Sequence, residues 1–272
     1  EVGTAEARLE IIDHSALTTN DYLFLCPGGG GVASLQVGSS SNKWSPDFDG
    51  VNAAQQLADL INKDLRRKKD AILFSPSFSL ETSASSSGTT VANVHHEFMA
   101  SANADYGNSK LKVTSINRGE AGENSTLGIT NLTGMSATNL TDTVLTVSST
   151  SGSSGSGVIT LADTSTLAPY GIICTGSGSS VKCAYYTAKT ATTLTGVTDL
   201  ASSGCFAALS NGVEITQYRF KIDYFGTTTG DEARLRDWWC DYDLGIIYFN
   251  NTYPYFQWNS VKCSYVYGER YV

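Results

Sequence analysis

The clearest pattern of apolar and polar positions lies in the last part of the chain, residues 218–272. Aromatic and β-branched residues alternate there with polar ones, which is the two-residue period of a strand with one covered face. The most regular alternation is formed by Val261, Cys263, Tyr265 and Tyr267. Asp243 and Gly245 indicate a tight turn, since an Asp bonds its own backbone and a Gly accepts a positive φ. The pattern predicts a compact, aromatic-rich antiparallel β module.

A helical period of apolar residues is clear over residues 52–69. Its apolar stripe consists of Ala54, Leu57, Ala58, Ile61 and Leu65. This spacing predicts an amphipathic helix that packs on a sheet. Asp49 or Asn52 can cap its start, and the basic run at residues 66–69 complements the helix dipole at its end.

Two apolar runs, residues 21–26 and 32–37, predict a β-hairpin before this helix. The connection between them contains the four glycines of residues 28–31. A phosphate-binding loop would need Gly-Lys-Ser/Thr and a following helix, and the sequence provides neither. We therefore predict a flexible hairpin tip. The hairpin, the helix and the strands that follow form an α+β module over residues 1–140.

The middle of the chain, residues 141–217, is rich in Ser, Thr and Gly. The strands predicted in it are residues 144–150, 157–161, 171–174 and 182–186. The connection from Ser149 to Ser156 has the Ser/Gly composition of an exposed loop. We predict a small antiparallel β module here. The chain as a whole is then mainly β, with units over residues 1–140, 141–217 and 218–272 in series.

The six cysteines lack a Cys-x-x-Cys pair, so a zinc site is not expected. A turn between Cys174 and Cys183 would place these two residues on neighbouring strands, where they could form a disulfide. Cys240 and Cys263 could meet in the same way across the C-terminal module. Spacing alone does not establish connectivity, and the favoured interpretation is buried free thiols in a protein that folds in reducing cytoplasm.

Charge and hydropathy exclude several kinds of partner. The formal net charge of -8 argues against a nucleic-acid binder, which needs a basic surface. No apolar run approaches the roughly 20 residues that span a bilayer, so neither a membrane partner nor a membrane location is expected. The polarity of the surface comes from Ser, Thr, Asn and Gly, since only 16% of the residues are charged.

Candidate catalytic chemistry is sparse. His95, His96 and Glu97 form the one metal-type triplet, but neighbouring strand residues point to opposite faces and a metal needs about three convergent ligands. Asp237 and Asp241 lie beside tryptophans, an arrangement that could hydrolyse a sugar. Turn-forming aspartates in an aromatic core explain the same pattern. We predict no catalytic residue, no cofactor and no metal.

Three motifs resemble modules of tailed-bacteriophage structural proteins. The first pairs a helix with a Gly-x-Ala-Gly-x-Asn loop, and its matching residues are Asn52, Ala53, Ala54, Leu57, Ala58, Ile61, Asn62, Gly119, Ala121, Gly122 and Asn124. The second is a Thr-Val-Ser-Ser opening with the Tyr/Thr-rich stretch of residues 186–197. The third is similar to a Val-Asp-Tyr-x-x-Gly-x-Ile-x-Phe hairpin, at residues 241–249.

This resemblance implies a non-enzymatic virion protein of the tail, neck or baseplate, assembled in the host cytoplasm. Its partners would be copies of itself and neighbouring virion subunits. A capsid decoration protein is the alternative within the same class. A different alternative is an adhesin that stacks glycans on Trp238, Trp239 and Trp258.

Assembly would use exposed strand edges and polar loops, which pair with neighbouring subunits by adding strands to sheets. The residues expected to make these contacts are Gly28, Gly29, Gly30, Gly31, Ser153, Gly155, Tyr265, Tyr267, Arg270 and Tyr271.

Overall fold

The computed structural model describes residues 4–28, 30–39, 43–46, 49–61, 98–102, 109–118, 120–201, 203–222, 238–241 and 246–249. Strands dominate this part of the chain, so the predicted mainly β class is confirmed. Two compact units are present, Glu1–Asp223 and Tyr224–Val272.

The strands of the first unit form one hydrogen-bonded network. In chain order they are β1 Thr4–Ile11, β2 Tyr22–Cys26, β3 Ala33–Gln36, β4 Phe98–Ala102, β5 Lys110–Arg118, β6 Thr126–Ile129, β7 Met135–Thr138, β8 Leu140–Ser151, β9 Gly157–Leu161, β10 Gly171–Thr175, β11 Lys182–Tyr186, β12 Ala188–Lys189, β13 Thr193–Asp199 and β14 Glu214–Ile222. Helical segments are α1 (residues 50–61), α2 (Glu120–Glu123) and α3 (Cys205–Ala208), with 3-10 turns at His14–Ala16 and Gly178–Ser180.

Six of these strands close into an antiparallel barrel in the order β8, β9, β13, β11, β10 and β14. The pairing of Cys174 on β10 with Thr216 on β14 completes the circle. Apolar side chains fill the interior, among them Val147, Ile159, Ile173, Tyr186, Leu194, Val197, Phe206 and Ile215. The strands predicted at residues 157–161 and 182–186 coincide with β9 and β11, because one face of each is buried in this core.

Strand β14 belongs to the barrel and to the N-terminal sheet at once. Residues Glu214–Phe220 pair with β8, whereas Tyr218 and Arg219 also pair with β6 on the opposite side. Ile222 then pairs with Ala5 of β1. The domain boundary predicted between residues 217 and 218 therefore falls inside one continuous strand.

Helix α1 packs on the N-terminal sheet through the apolar stripe that the sequence predicts. Its buried residues are Ala53, Ala54, Leu57, Ala58 and Ile61. The Asp49 carboxylate accepts the Asn52 N–H at 2.7 Å, which is the predicted N-cap. Residues 62–69 of the predicted helix, including Leu65, lie outside the described residues.

A separate apolar core lies where the β2–β3 hairpin and β6 face the outer side of β10 and β11. It contains Phe24, Cys26, Val32, Ile172, Cys174, Val181, Cys183 and Leu200. Cys174 and Cys183 are directly opposite in register and form a disulfide. The favoured interpretation of this pair as free thiols is therefore wrong.

The other four cysteines take no part in this disulfide. Cys26 and Cys205 are buried thiols. Burial raises the pKa of the Cys205 thiol to about 12, so the reactive thiolate is rare near neutral pH. Cys240 lies on a strand of the second unit, and Cys263 lies outside the described residues.

Two strands are described in the second unit, β15 (Trp238–Asp241) and β16 (Ile246–Phe249). They are antiparallel, with Trp238 opposite Phe249 and Asp241 opposite Ile246. This agrees with the hairpin that the alternating pattern predicts.

Candidate assembly surfaces

The glycine run, predicted to be a flexible tip, is packed against the barrel. Gly28 is buried, its N–H donates to the Ser125 hydroxyl at 3.2 Å, and its carbonyl accepts from the Tyr170 hydroxyl. The Gly31 N–H donates to the Tyr185 hydroxyl oxygen at 3.2 Å. The run is therefore an internal joint between the hairpin and the barrel, which corrects the prediction of a free tip.

Of the exposed loop predicted at Ser149–Ser156, residues 149–151 belong instead to strand β8, and the rest forms the β8–β9 connection. Every residue from Ser151 to Ser156 is exposed. The loop is nevertheless tied to β13, because the Gly155 N–H donates to the Val197 carbonyl at 2.8 Å and the Ser154 hydroxyl accepts the Asp199 N–H at 2.8 Å. It presents Ser153 on an anchored, projecting hairpin. Its role in assembly stays a prediction.

Other predicted contact and site residues fall outside the described part of the chain. These are Gly29, His95, His96, Glu97, Trp258, Cys263, Tyr265, Tyr267, Arg270 and Tyr271. Trp238 and Trp239 are consecutive residues of β15.

An unpaired strand edge, which the sequence analysis did not identify, runs along β8. Strand β14 pairs with residues 140–146 of β8, and this ladder begins where Leu140 lies opposite Phe220. Strand β9 pairs only with residues 147–151 of β8. Among the described residues, nothing pairs with the β9 side of residues 141–146. We call this segment the β8 edge.

The hydrogen-bond pattern shows which backbone groups the β8 edge presents. The Val147 N–H donates to the Val213 carbonyl at 2.8 Å, so residue 147 faces β14. Residues of an antiparallel strand alternate between facing one neighbour and the other. Asp142, Val144 and Thr146 therefore direct their N–H and C=O groups away from β14, towards the open side.

The side chains of these three residues are also exposed. Val144 is 53% exposed, which makes it one of the few large apolar side chains on the surface of the described part. Asp142 is exposed and lies opposite Tyr218, and partial desolvation raises the pKa of its carboxyl. Natural strand edges are commonly guarded by Lys or Pro, and residues 141–146 contain neither.

Both ends of the β8 edge are defined by backbone irregularities. Asn139 has a φ of 58°, which separates β7 from β8, and the register of β8 against β9 shifts between Val147 and Ser149. The sequence signal for a strand at residues 144–150 was visible. The open side of this strand could not be predicted from the sequence, because only the closure of the barrel determines that β9 and β14 are its neighbours.

Cationic side chains near the barrel end serve the fold. The Lys189 ammonium donates to the carbonyls of Thr164 and Leu167 at 2.8 and 2.5 Å, and desolvation, with the nearby Arg219, lowers its pKa. Arg219 donates to the Thr166 carbonyl at 3.1 Å. Within the described residues no group of three His, Cys, Asp or Glu side chains could hold a metal ion. No helix in that part is long and apolar enough to cross a membrane.

No protein family, curated protein or solved structure matches this chain. What the protein does must therefore be argued from its own surfaces, of which the β8 edge and the β8–β9 loop are the most distinctive.

Proposed function

We propose that this chain is a non-enzymatic structural subunit of a tailed-bacteriophage virion, which acts through contacts with other subunits. The observation that carries the proposal is the β8 edge: residues 141–146 offer backbone groups that no other described residue pairs with, and Val144 is exposed beside them. An open edge without Lys or Pro is a template for strand addition. The barrel interior is occupied by apolar side chains such as Tyr186 and Phe206, which suits a scaffold.

The phage assignment is supported by the resemblance of three motifs, in the same order along one chain, to modules of tailed-phage structural proteins. As this resemblance implies, we place the chain in the tail, neck or baseplate, assembled in the host cytoplasm. Its partners are copies of itself and neighbouring virion proteins. A capsid decoration protein is the alternative within this class.

The test is the location of the chain in purified particles. Virions are separated into heads and tails, and the chain is quantified by mass spectrometry against a known tail protein and the major capsid protein. We expect enrichment with tails at a fixed stoichiometry. Enrichment with heads would favour the decoration protein, and absence from particles would overturn the proposal.

A variant sharpens this test. Val144→Lys adds a charge to the β8 edge at an exposed position, so the variant is expected to fold and to enter particles poorly. Ser148→Lys is the matched control, because Ser148 is also exposed on β8 but lies where β9 already covers the strand. Equal incorporation of both variants would show that the edge is not used for assembly.

The adhesin alternative makes a different prediction. Alanine substitutions at Trp238, Trp239 and Trp258 would abolish binding to a glycan array while the chain remains folded. If neither the native chain nor any of these variants binds a glycan, the adhesin alternative is removed.

A further inference from the structure

We infer that the occupant of the β8 edge is the β8 edge of a second copy of this chain, paired antiparallel about a two-fold axis at Val144. The inference deepens the proposed function and rests on it in one respect, the premise that the edge serves assembly.

Hydrogen-bond parity, side-chain chemistry and the neighbours of β8 together restrict the centre of the pairing. Only Asp142, Val144 and Thr146 present N–H and C=O groups to the open side. In an antiparallel pair, residues that exchange both hydrogen bonds face each other. A two-fold axis through one of these residues joins them as hydrogen-bonded pairs. An axis through Thr143 or Leu145 keeps the same parity, but the first places the Asp142 carboxylate opposite the apolar Val144, and the second carries the pairing into the part of β8 that β9 already covers.

Charge excludes the first of these centres. An axis at Asp142 would place two carboxylates directly opposite each other, and like charges at that position destabilise a strand pair.

Sterics exclude the last centre. An axis at Thr146 would oppose Val144 with Ser148 of the second copy, and Asp142 with Thr150. Residues 147–151 are already paired with β9 on that side, so the second copy would collide with the barrel.

An axis at Val144 gives a partner to every open-side N–H and C=O group of Asp142, Val144 and Thr146. Val144 then faces its own counterpart, which covers an apolar side chain that is 53% exposed in the single chain. Asp142 faces Thr146 of the second copy in both halves, and about six backbone hydrogen bonds form. The two Asp142 carboxylates lie about 14 Å apart along the strands, beyond the screening length of about 8 Å at physiological ionic strength.

The first experiment is site-directed cross-linking of the full chain. Val144→Cys is expected to give a disulfide-linked dimer under mild oxidation, because directly opposed residues have Cα atoms about 5.5 Å apart, within the span of a disulfide. Asp142→Cys and Thr146→Cys are each expected to remain unlinked alone and to link when mixed. Peptide mass spectrometry identifies the linked residues and separates them from the native cysteines.

Ser148→Cys is the matched control, since it adds an exposed thiol to the same strand outside the β8 edge. It is expected to stay unlinked under the same oxidation. Linkage of Asp142→Cys to itself, or linkage of Ser148→Cys as strong as that of Val144→Cys, would overturn the proposed register.

The second experiment measures self-association without a new thiol. Sedimentation velocity over a range of concentrations should show the native chain passing from the mass of one chain to that of two. Val144→Lys should raise the dimer dissociation constant about tenfold or more, because two like charges are then directly opposed. Ser148→Lys should leave it unchanged, and circular dichroism establishes that both variants are folded.

Failures of the two proposals are distinguishable. A native chain that stays monomeric and gives no residue-144 link overturns this inference, even if the chain is found in particles. A monomer that binds a different virion protein, and loses that binding in Val144→Lys, identifies a heterologous strand as the occupant and also overturns it. A residue-144 dimer that is absent from particles overturns the proposed function and leaves the pairing intact.

Discussion

Gln217 on β14 and Tyr186 on β11 meet inside the barrel, where the amide nitrogen of Gln217 donates to the Tyr186 hydroxyl at 2.9 Å. The hydroxyl in turn donates to the Ala168 carbonyl at 2.6 Å, and the Ala168 N–H donates to the Gln217 amide oxygen at 2.8 Å. Gln217 and Tyr186 are fully buried. The three hydrogen bonds form a closed ring, so these buried polar groups are satisfied at the end of an otherwise apolar core.

We predict that Tyr186→Phe lowers the free energy of unfolding by about 1–3 kcal/mol, because it leaves buried partners on Gln217 and Ala168 unpaired. Urea denaturation measures the change. Tyr185→Phe is the matched control, since that hydroxyl is only half-buried and water can replace it beside the Gly31 N–H. A larger loss for Tyr185→Phe than for Tyr186→Phe would contradict the role of the ring.

The same tyrosine predicts a loss of stability at alkaline pH. Burial raises the pKa of the Tyr186 phenol in the folded chain above its ordinary value. Above about pH 10 the unfolded chain releases this proton and the folded chain keeps it. Stability is therefore complete below pH 10 and falls above it, by up to about 1.4 kcal/mol per pH unit for this one group.

Comparison of the native chain with Tyr186→Phe isolates this contribution from those of other tyrosines. Chemical denaturation at pH 9, 10 and 11 should show a steeper decline for the native chain. Parallel declines would mean that Tyr186 ionises equally in the folded and unfolded states.

The disulfide between Cys174 and Cys183 is predicted to stabilise the first unit by about 3 kcal/mol, since the cross-link lowers the conformational entropy of the unfolded chain. Reduction of the native chain, or the double variant Cys174→Ala/Cys183→Ala, should lower the melting temperature. Reductant should have no further effect on the double variant. A native chain whose melting temperature ignores reductant would show that the bond contributes nothing to stability.

Substitution of Gly157 is predicted to destabilise the fold while Phe206 is present. A Cβ at position 157 would lie 2.4 Å from the ring of Phe206, which belongs to the barrel core. Gly157→Ala should cost about 1–3 kcal/mol through overpacking. In the background of Phe206→Leu the same change should cost less, and a double-mutant cycle measures the coupling. Equal costs in the two backgrounds would place the strain elsewhere.

Local periodicity predicted much of the fold. Strands β9 and β11 and the buried stripe of α1 were readable because burial of one face leaves a repeat of two or 3.6 residues in the sequence. Most of the Ser-rich loop predicted at Ser149–Ser156 was readable from composition alone, although residues 149–151 belong to β8. Each of these features depends on residues close together in the chain.

The candidate assembly surfaces were harder to predict from the sequence than the strands and the helix. Glycine composition suggested a free tip at residues 28–31, whereas Tyr170 and Tyr185, more than a hundred residues later, hold that run against the barrel. The free-thiol interpretation of Cys174 failed for a related reason, since thiol pairing depends on strand register and not on spacing.

By itself, then, the sequence determined the mainly β class, the amphipathic helix and the positions of several strands, because these follow from which face of a short segment is apolar. Only the tertiary structure decided that β14 is shared between barrel and N-terminal sheet, and that, within the described part of the chain, β8 has one open side along residues 141–146. Strand neighbours are chosen by the closure of the whole barrel. That choice joins residues some seventy positions apart, such as Val144 and Thr216, and leaves no periodic trace in either strand.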